Sequence, residues 1–403
     1  MMTEQTRIIS ALGVVQILSW GSTFYLMAPL AQDMARDTGW EMSLLSAGVS
    51  LGLLVSGLGA PAIGSWIARS GGRATLSFGM ICIAAGLVML GLAPSPPIYL
   101  VAWSIIGVGM AAGLYDAAFS TLGHIYGQNA RSAITHLTLW GGFASTICWP
   151  LSAWLVELHG WRITCLIYAV IHLTVTVPIC LFLLPRAAAQ AGHPARDFAA
   201  PPPARIGAGD LRFFCVAVIG VILSLLATIW SIHMVTILTS GGLTIAAAIG
   251  LGTLIGPAQV GARVLEMLGR GRHHPIWTTA AATGLILLGF AGLQMGLPAS
   301  VALIAFGAGN GLWSIARGAL PLALFGAGTY AETMGRLARP MLLASAVAPL
   351  VGGVLIEGIG PAATMTTLAA LAIIPCIATA ILYRCILRDR RQVSRSNDFE
   401  PLL

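Results

Sequence analysis

Asp116 and Arg317 are the charged residues that lie deep inside long apolar runs. Asp116 sits in GVGMAAGLYDAAFSTLGHIYG (107–127), directly after 42 residues (74–115) free of Asp, Glu, Lys and Arg. Arg317 sits in FGAGNGLWSIARGALPLALFG (306–326). A charge at the middle of a membrane span costs about 2.5–3.5 kcal/mol on insertion scales, so it marks a place where something is bound or moved. A guanidinium there captures a carboxylate through paired N–H donors. A carboxylate there takes up and releases a proton, or holds a cation. The alternative for both is a fixed salt bridge between helices, and the two readings coexist if the bridge breaks during a working cycle.

The two segments share a frame. Each opens on G-x-G (Gly107/Gly109, Gly307/Gly309), continues with Gly113-Leu114 or Gly311-Leu312, and closes on Tyr126-Gly127 or Phe325-Gly326. Glu157-Leu158-His159-Gly160 is echoed by Glu357-Gly358-Ile359-Gly360, and Pro150 by Pro349, all at offsets of 198–200 residues. Several matches at one offset indicate a duplicated chain, with the acid in one copy and the base in the other. The paired glycines predict close approach of neighbouring helices.

Composition sets the solvent. Of the 403 residues 57% are hydrophobic and 9% charged, against about 25% charged in soluble proteins. Long apolar runs of this kind make helical spans, not a β-barrel. The first run, Ile8 to Gln32, is too long for a signal peptide and is read as a retained span. The net charge of +7 comes from arginines scattered over separate loops, which excludes a nucleic-acid-binding stripe. The seven cysteines contain no C-x-x-C pair and the eight histidines no ligand spacing, so neither a metal nor a cofactor is expected. An integral-membrane enzyme lacks a nucleophile–base pair here, and no P-loop is present to drive transport with ATP.

Splitting the apolar runs at charges and at Pro/Gly breakers predicts twelve spans. They cover 8–30, 42–68, 74–93, 98–126, 132–156 and 162–184, then 213–238, 243–268, 276–296, 299–325, 333–356 and 361–384. With the N-terminus inside, eighteen arginines fall on inner loops and tails and only Arg36 and Arg162 on outer loops. This positive-inside bias puts both termini in the cytoplasm of a cell (inner) membrane protein. The Ala/Pro-rich stretch 185–210 reads as a cytoplasmic linker between an N-terminal bundle (1–184) and a C-terminal bundle (211–387), with a basic tail at 388–403. The expected architecture is all-α, two parallel six-helix bundles around a central cavity. At 1.5 Å per residue, Asp116 lies about 27 Å from the outer end of span four, near the midplane and slightly to its inner side. Arg317 lies at nearly the same depth.

Twelve spans, two parallel halves and a long inner loop resemble the major facilitator superfamily. That family's loop between spans two and three reads G-x-x-x-D-R-x-G-R-R; here it is Gly64-Ser65-Trp66-Ile67-Ala68-Arg69-Ser70-Gly71-Gly72-Arg73. Ala68 replaces the acid, so the cytoplasmic latch that the resemblance implies is differently built, with Arg69 and Arg73 remaining as gating candidates. A partial copy, Gly256-Pro257-Ala258-Gln259-Val260-Gly261-Ala262-Arg263, precedes Glu266. Arg263 and Glu266 stand at i, i+3, a spacing for a local pair at the inner end of span eight, and join the gating set. Span five carries Trp149-Pro150 in place of the Gly-Pro of drug/proton antiporters. Trp20-Gly21-Ser22-Thr23-Phe24-Tyr25 resembles the monocarboxylate and oxalate/formate branches. Those branches place a basic residue inside span eight; Arg263 at that span's end leaves anion capture to Arg317.

The resemblance places spans one, four, seven and ten around the cavity. Gln16, Trp20 and Thr23 share a helical face of span one, with Tyr25 beside them, and Trp230 and His233 stand at i, i+3 on span seven. All six are substrate-site candidates with Arg317, the plainer reading being bundle packing. His136 in span five joins Asp116 as a candidate for proton coupling, since histidine titrates near neutral pH. The expected function is secondary active transport of a small organic anion by proton symport, in a monomer whose partners are solute, proton and bilayer. The alternatives are proton-coupled efflux of a cationic or amphipathic compound and a non-transporting membrane sensor.

Overall fold

A computed structural model describes residues 4–186, 210–269 and 273–397. Most of the predicted linker, Arg270, Arg272 and the end of the tail lie outside the described residues. Among the described residues eight continuous helical stretches are long and apolar enough to cross a bilayer. Pro96–Leu183 holds spans four to six, and Tyr330–Arg388 holds eleven and twelve. With span one, which a turn interrupts, the spans number twelve.

The long stretches turn where glycine permits it. Gly160 (φ 76°, ψ 167°) separates span five from span six, and Gly360 (φ 81°, ψ 161°) separates eleven from twelve. A side chain other than glycine rarely takes this conformation. Gly127 and Gly326 likewise take positive φ where spans four and ten end. The duplication read in the sequence is thus repeated in the backbone. It is repeated in the packing as well. A Cβ on Gly109 would lie 2.6 Å from Ile83 Cγ1 and 2.8 Å from Gly79 O; one on Gly309 would lie 2.7 Å from Ile286 Cγ1 and 2.8 Å from Ala282 O. These glycines let spans four and ten seat against three and nine.

Several spans predicted as single helices are broken. Span one runs as Glu4–Gly21 and Met27–Thr38 around a turn at residues 22–26. Span four runs as Pro96–Gly113 and Tyr115–Tyr126, parted by the extended backbone of Leu114 (φ −84°, ψ −170°). Span eight runs as Ile245–Gly252 and Ile255–Leu268. Span ten, Ala299–Phe325, stays whole, with Pro321 inside it. Span twelve continues to Asn397, beyond its predicted end. Hydropathy reports which residues avoid water, and a break that keeps its backbone polar groups satisfied within the bundle leaves no trace in it.

Each half has its own apolar core. The N-terminal core gathers Leu12, Trp103, Phe119, Tyr168 and their neighbours; the C-terminal core gathers Ile219, Trp230, Phe290 and Leu382 among others. The first core also takes in Leu322, Tyr330, Ala331, Met334 and Ala346 from the second half. All but Ala346 lie toward the end of the molecule where the chain enters at Glu4, here termed the N-face. There spans two and eleven cross closely: a Cβ on Gly64 would lie 2.5 Å from Ala331 O, and one on Gly335 the same distance from Ala60 O. The halves are therefore shut against each other on the N-face side.

Candidate functional site

Asp116 and Arg317 meet between the halves. Arg317 Nη2 donates to Asp116 Oδ1 at 2.6 Å and Oδ2 at 2.8 Å, and both side chains are largely withdrawn from solvent. The break at Leu114 puts Asp116 in the first turn of a new helix, where a negative charge is favoured by the free N–H groups. The carbonyl of Gly113 at the same break accepts a 2.8 Å hydrogen bond from Gln16 Nε2. Span ten is unbroken at Arg317, where a helix N-terminus would disfavour a cation. One nitrogen of Arg317 serves both carboxylate oxygens, and its Nε is buried without a partner.

Arg263 is the principal correction to the sequence reading. Near the inner end of span eight it makes no local pair with Glu266; its side chain turns into the bundle and is buried, with 6% of its surface exposed. Its Nε donates to Ser314 Oγ at 2.9 Å and its Nη1 to Thr138 O at 3.2 Å, so it bridges spans eight, ten and five across the two halves. Side chains on a helix lean toward its N-terminus, which from position 263 means into the bundle. A Cβ on Gly142 would overlap the guanidinium, so glycine there makes its berth. Among the described residues no carboxylate lies within 4.0 Å of Arg263, and no protein partner is present for its Nη2. Ser314 is one helical turn before Arg317, so both guanidinium groups address the same stretch of span ten. Nothing in the sequence pattern separated Arg263 from the other helix-end arginines; the resemblance that pointed to span eight was the available signal.

Glu266 instead faces a cluster near the N-face. It accepts from Thr278 Oγ1 at 2.8 Å, lies 3.1 Å from His273 Nε2 and 3.5 Å from Arg131 Nη2. Arg131, from span five, also donates to the His273 carbonyl. This joins the halves without the missing acid at Ala68. Arg69 makes an exposed local bond to Ser65 O (3.2 Å), and Arg73 lies with Arg7 and Arg186 around a groove on the N-terminal half. The structure does not bring Arg69 or Arg73 to the Glu266 cluster.

The span-one candidates divide. Trp20 packs edge-on or tilted against Phe24, Tyr25 and Tyr115, and Tyr25 packs against Trp149 at 6.0 Å. Tyr115 Oη donates at 3.4 Å to the Thr138 carbonyl, which also accepts from Arg263 Nη1. Trp20 Nε1 and Gln16 Oε1 are buried without partners, which leaves one donor and one acceptor unfilled in this wall. Thr23 is turned back onto Ser19 O at 2.6 Å and serves the turn. Trp230 is packed between Phe290 and Phe306 in the C-terminal core, and His233 bonds Pro349 O at 3.2 Å, tying span seven to span eleven. His136 is exposed and bonds Ser132 O, one turn back on its own helix. His172 is fully buried, with Nε2 2.7 Å from Ser22 Oγ and Nδ1 2.9 Å from Thr176 Oγ1.

The sequence profile of the Major Facilitator Superfamily matches residues 12–338. The fold is shared with the human organic anion transporter MFSD10 (TETRAN), at a TM-score of 0.76 and 15% identity over 94% of this chain and 100% of that one. It is also shared with the transporter FucP in its outward conformation, at a TM-score of 0.71 and 13% identity over 94% and 99% of the two chains. A variant of the E. coli fucose:proton symporter FucP matches at 0.68 and 14%, over 93% and 97%. An uncharacterized 38 kDa protein in the 23S RNA operon of Thermoproteus tenax is 27% identical over 161 residues, 40% of this chain. That match spans 41% of the relative's length. With the profile running through both halves and the fold shared along nearly the whole chain, this protein belongs to the Major Facilitator Superfamily of membrane transporters.

Proposed function

We propose that the protein moves a small organic anion together with a proton by alternating access. The observation that carries this reading is Arg263: a buried guanidinium, without a carboxylate within 4.0 Å among the described residues, beside an ion pair that joins the halves. An uncompensated cation in a low-dielectric cavity is strongly stabilised by an arriving anion. Arg317 is the second cation, held by Asp116 until that acid is neutralised. In this scheme a proton taken up by Asp116 weakens the bridge, Arg317 turns to the anion shared with Arg263, and the halves rock. Release of the anion lets the bridge re-form and returns the proton on the other side. One proton then accompanies one negative charge, and transport of a monoanion is electroneutral.

The N-face is assigned to the cytoplasm from the arginine bias, which makes the shut N-face an outward-facing state. A fold neighbour that is an organic anion transporter, and one that is a proton symporter, accord with the scheme. Efflux of a cation through Asp116 fits less well, since both of its oxygens already accept from Arg317. The test is a thermal-shift and calorimetric screen of purified protein against carboxylates, sugars and amines. Carboxylates are expected to bind, and Arg263→Ala to weaken them about 10- to 100-fold, the worth of a lost charged hydrogen bond. Binding of amines or sugars but not carboxylates, or carboxylate binding unchanged in Arg263→Ala, rejects the reading.

A further inference from the structure

The face of span five that holds Arg263 continues away from it as an apolar wall. Gly142, against the guanidinium, ends the helix Ala130–Gly142; past the turn at Phe143 the helix Ala144–Ile171 carries Thr146, Trp149 and Ala153 at i, i+3 and i+7, one stripe along one of its sides. Counted from Thr146, the stripe rises about 4.5 and 10.5 Å at 1.5 Å per residue. All three residues are exposed, and Trp149 is 47% open. With Ala28, Pro29 and Pro150 they line a cavity of about 510 Å³ that contains no charged residue. Trp149 touches Tyr25, and the ring contacts continue through Trp20 to Tyr115. The cavity and the cation thus lie along one side of span five, joined by aromatic rings.

We infer that the anion carries a single carboxylate at one end and a bulky apolar body, an aromatic or branched side group, which lies along Thr146, Trp149 and Ala153. This rests on Arg263 as the anion's ligand and adds the chemistry of everything beyond the carboxylate. A second carboxylate at the far end would enter a pocket with no cation among its lining residues, and a polyhydroxylated body would find hydroxyls only at Ser145 and Thr146. Either would lose hydration without replacement. An aromatic ring would exchange water for Trp149 and the proline and alanine walls.

The probes are 3-phenylpropionate, succinate, gluconate and 3-phenylpropan-1-ol, titrated calorimetrically into the full-length protein. 3-Phenylpropionate is expected to bind at least tenfold more tightly than the other three. Trp149→Ala is expected to weaken it about tenfold. Ala153→Asp, which sets a negative charge in the pocket at an exposed position, is expected to weaken it further with an unchanged melting temperature. Succinate or gluconate binding as tightly as 3-phenylpropionate overturns the inference and leaves the anion reading standing. So does 3-phenylpropionate binding that neither variant alters. If the alcohol binds as well as the acid, the anion reading itself fails.

Discussion

Alanine at position 142 places a methyl group where the Arg263 guanidinium now lies. Gly142 is helical and does not take a left-handed conformation, so the backbone accepts alanine there without strain. Gly142 is the last residue of its helix, so helix propensity, a property of helix interiors, contributes little to the change. The added Cβ nevertheless overlaps Arg263 Nη1, and this nitrogen must leave the Thr138 carbonyl that it holds at 3.2 Å. A hydrogen bond to a charged group is worth about 1.5–3 kcal/mol. A carboxylate that depends on the guanidinium being fixed there loses a comparable amount, roughly 10- to 100-fold in affinity. The expectation for Gly142→Ala is an unchanged melting temperature with carboxylate binding weakened to that extent by calorimetry. A variant that binds as the parent does would show that Arg263 is not a fixed ligand. A variant that loses binding only because its melting temperature has collapsed would show that the overlap is relieved by unfolding span five and not by moving the guanidinium.

The Asp116–Arg317 contact at 2.6 Å represents an attraction of about 6 kcal/mol at an effective dielectric of ~20, before desolvation is subtracted. Asp116→Asn removes it and imitates the protonated acid; in liposomes it should exchange solute at both faces yet fail to accumulate it under an imposed pH gradient. Intact proton-driven accumulation would move the coupling role elsewhere. Arg131→Gln removes the donor to the His273 carbonyl and the neighbour of Glu266. At ~1 kcal/mol for a partly exposed pair, it should raise maleimide labelling of an Ala331→Cys reporter about fivefold, since Ala331 is buried between the halves in the closed N-face. Unchanged labelling would mean that the Gly64–Gly335 crossing alone keeps this face shut.

Much of the fold was legible because membrane insertion writes itself into composition. Twelve apolar runs, their arginine-rich flanks and the repeat at about 200 residues need no tertiary information. Asp116 and Arg317 stood out for the same reason: a charge far from either end of an apolar span has no route to water, so its position alone marks it. Even their partnership followed from equal depth in equivalent spans.

Direction of side chains was decided by the tertiary structure. Arg263 is five residues from the end of its helix, where an arginine can reach toward water or back into the bundle. The space left by Gly142 and the acceptors at Thr138, Ser314 and Gly311 hold it inward. Glu266, at a spacing that suits Arg263, is claimed by Thr278, His273 and Arg131 from other segments. Trp230 and Trp149 are alike in the sequence, aromatic residues on apolar helices. One fills a core between two phenylalanines and the other stands open on the cavity side. In a helix apolar on all faces, periodicity carries no sign of which face meets a neighbour, lipid or cavity. What the chain determined by itself is therefore how many times it crosses and which charges it buries at depth. The packing of one half against the other determined where those charges point and what they can hold.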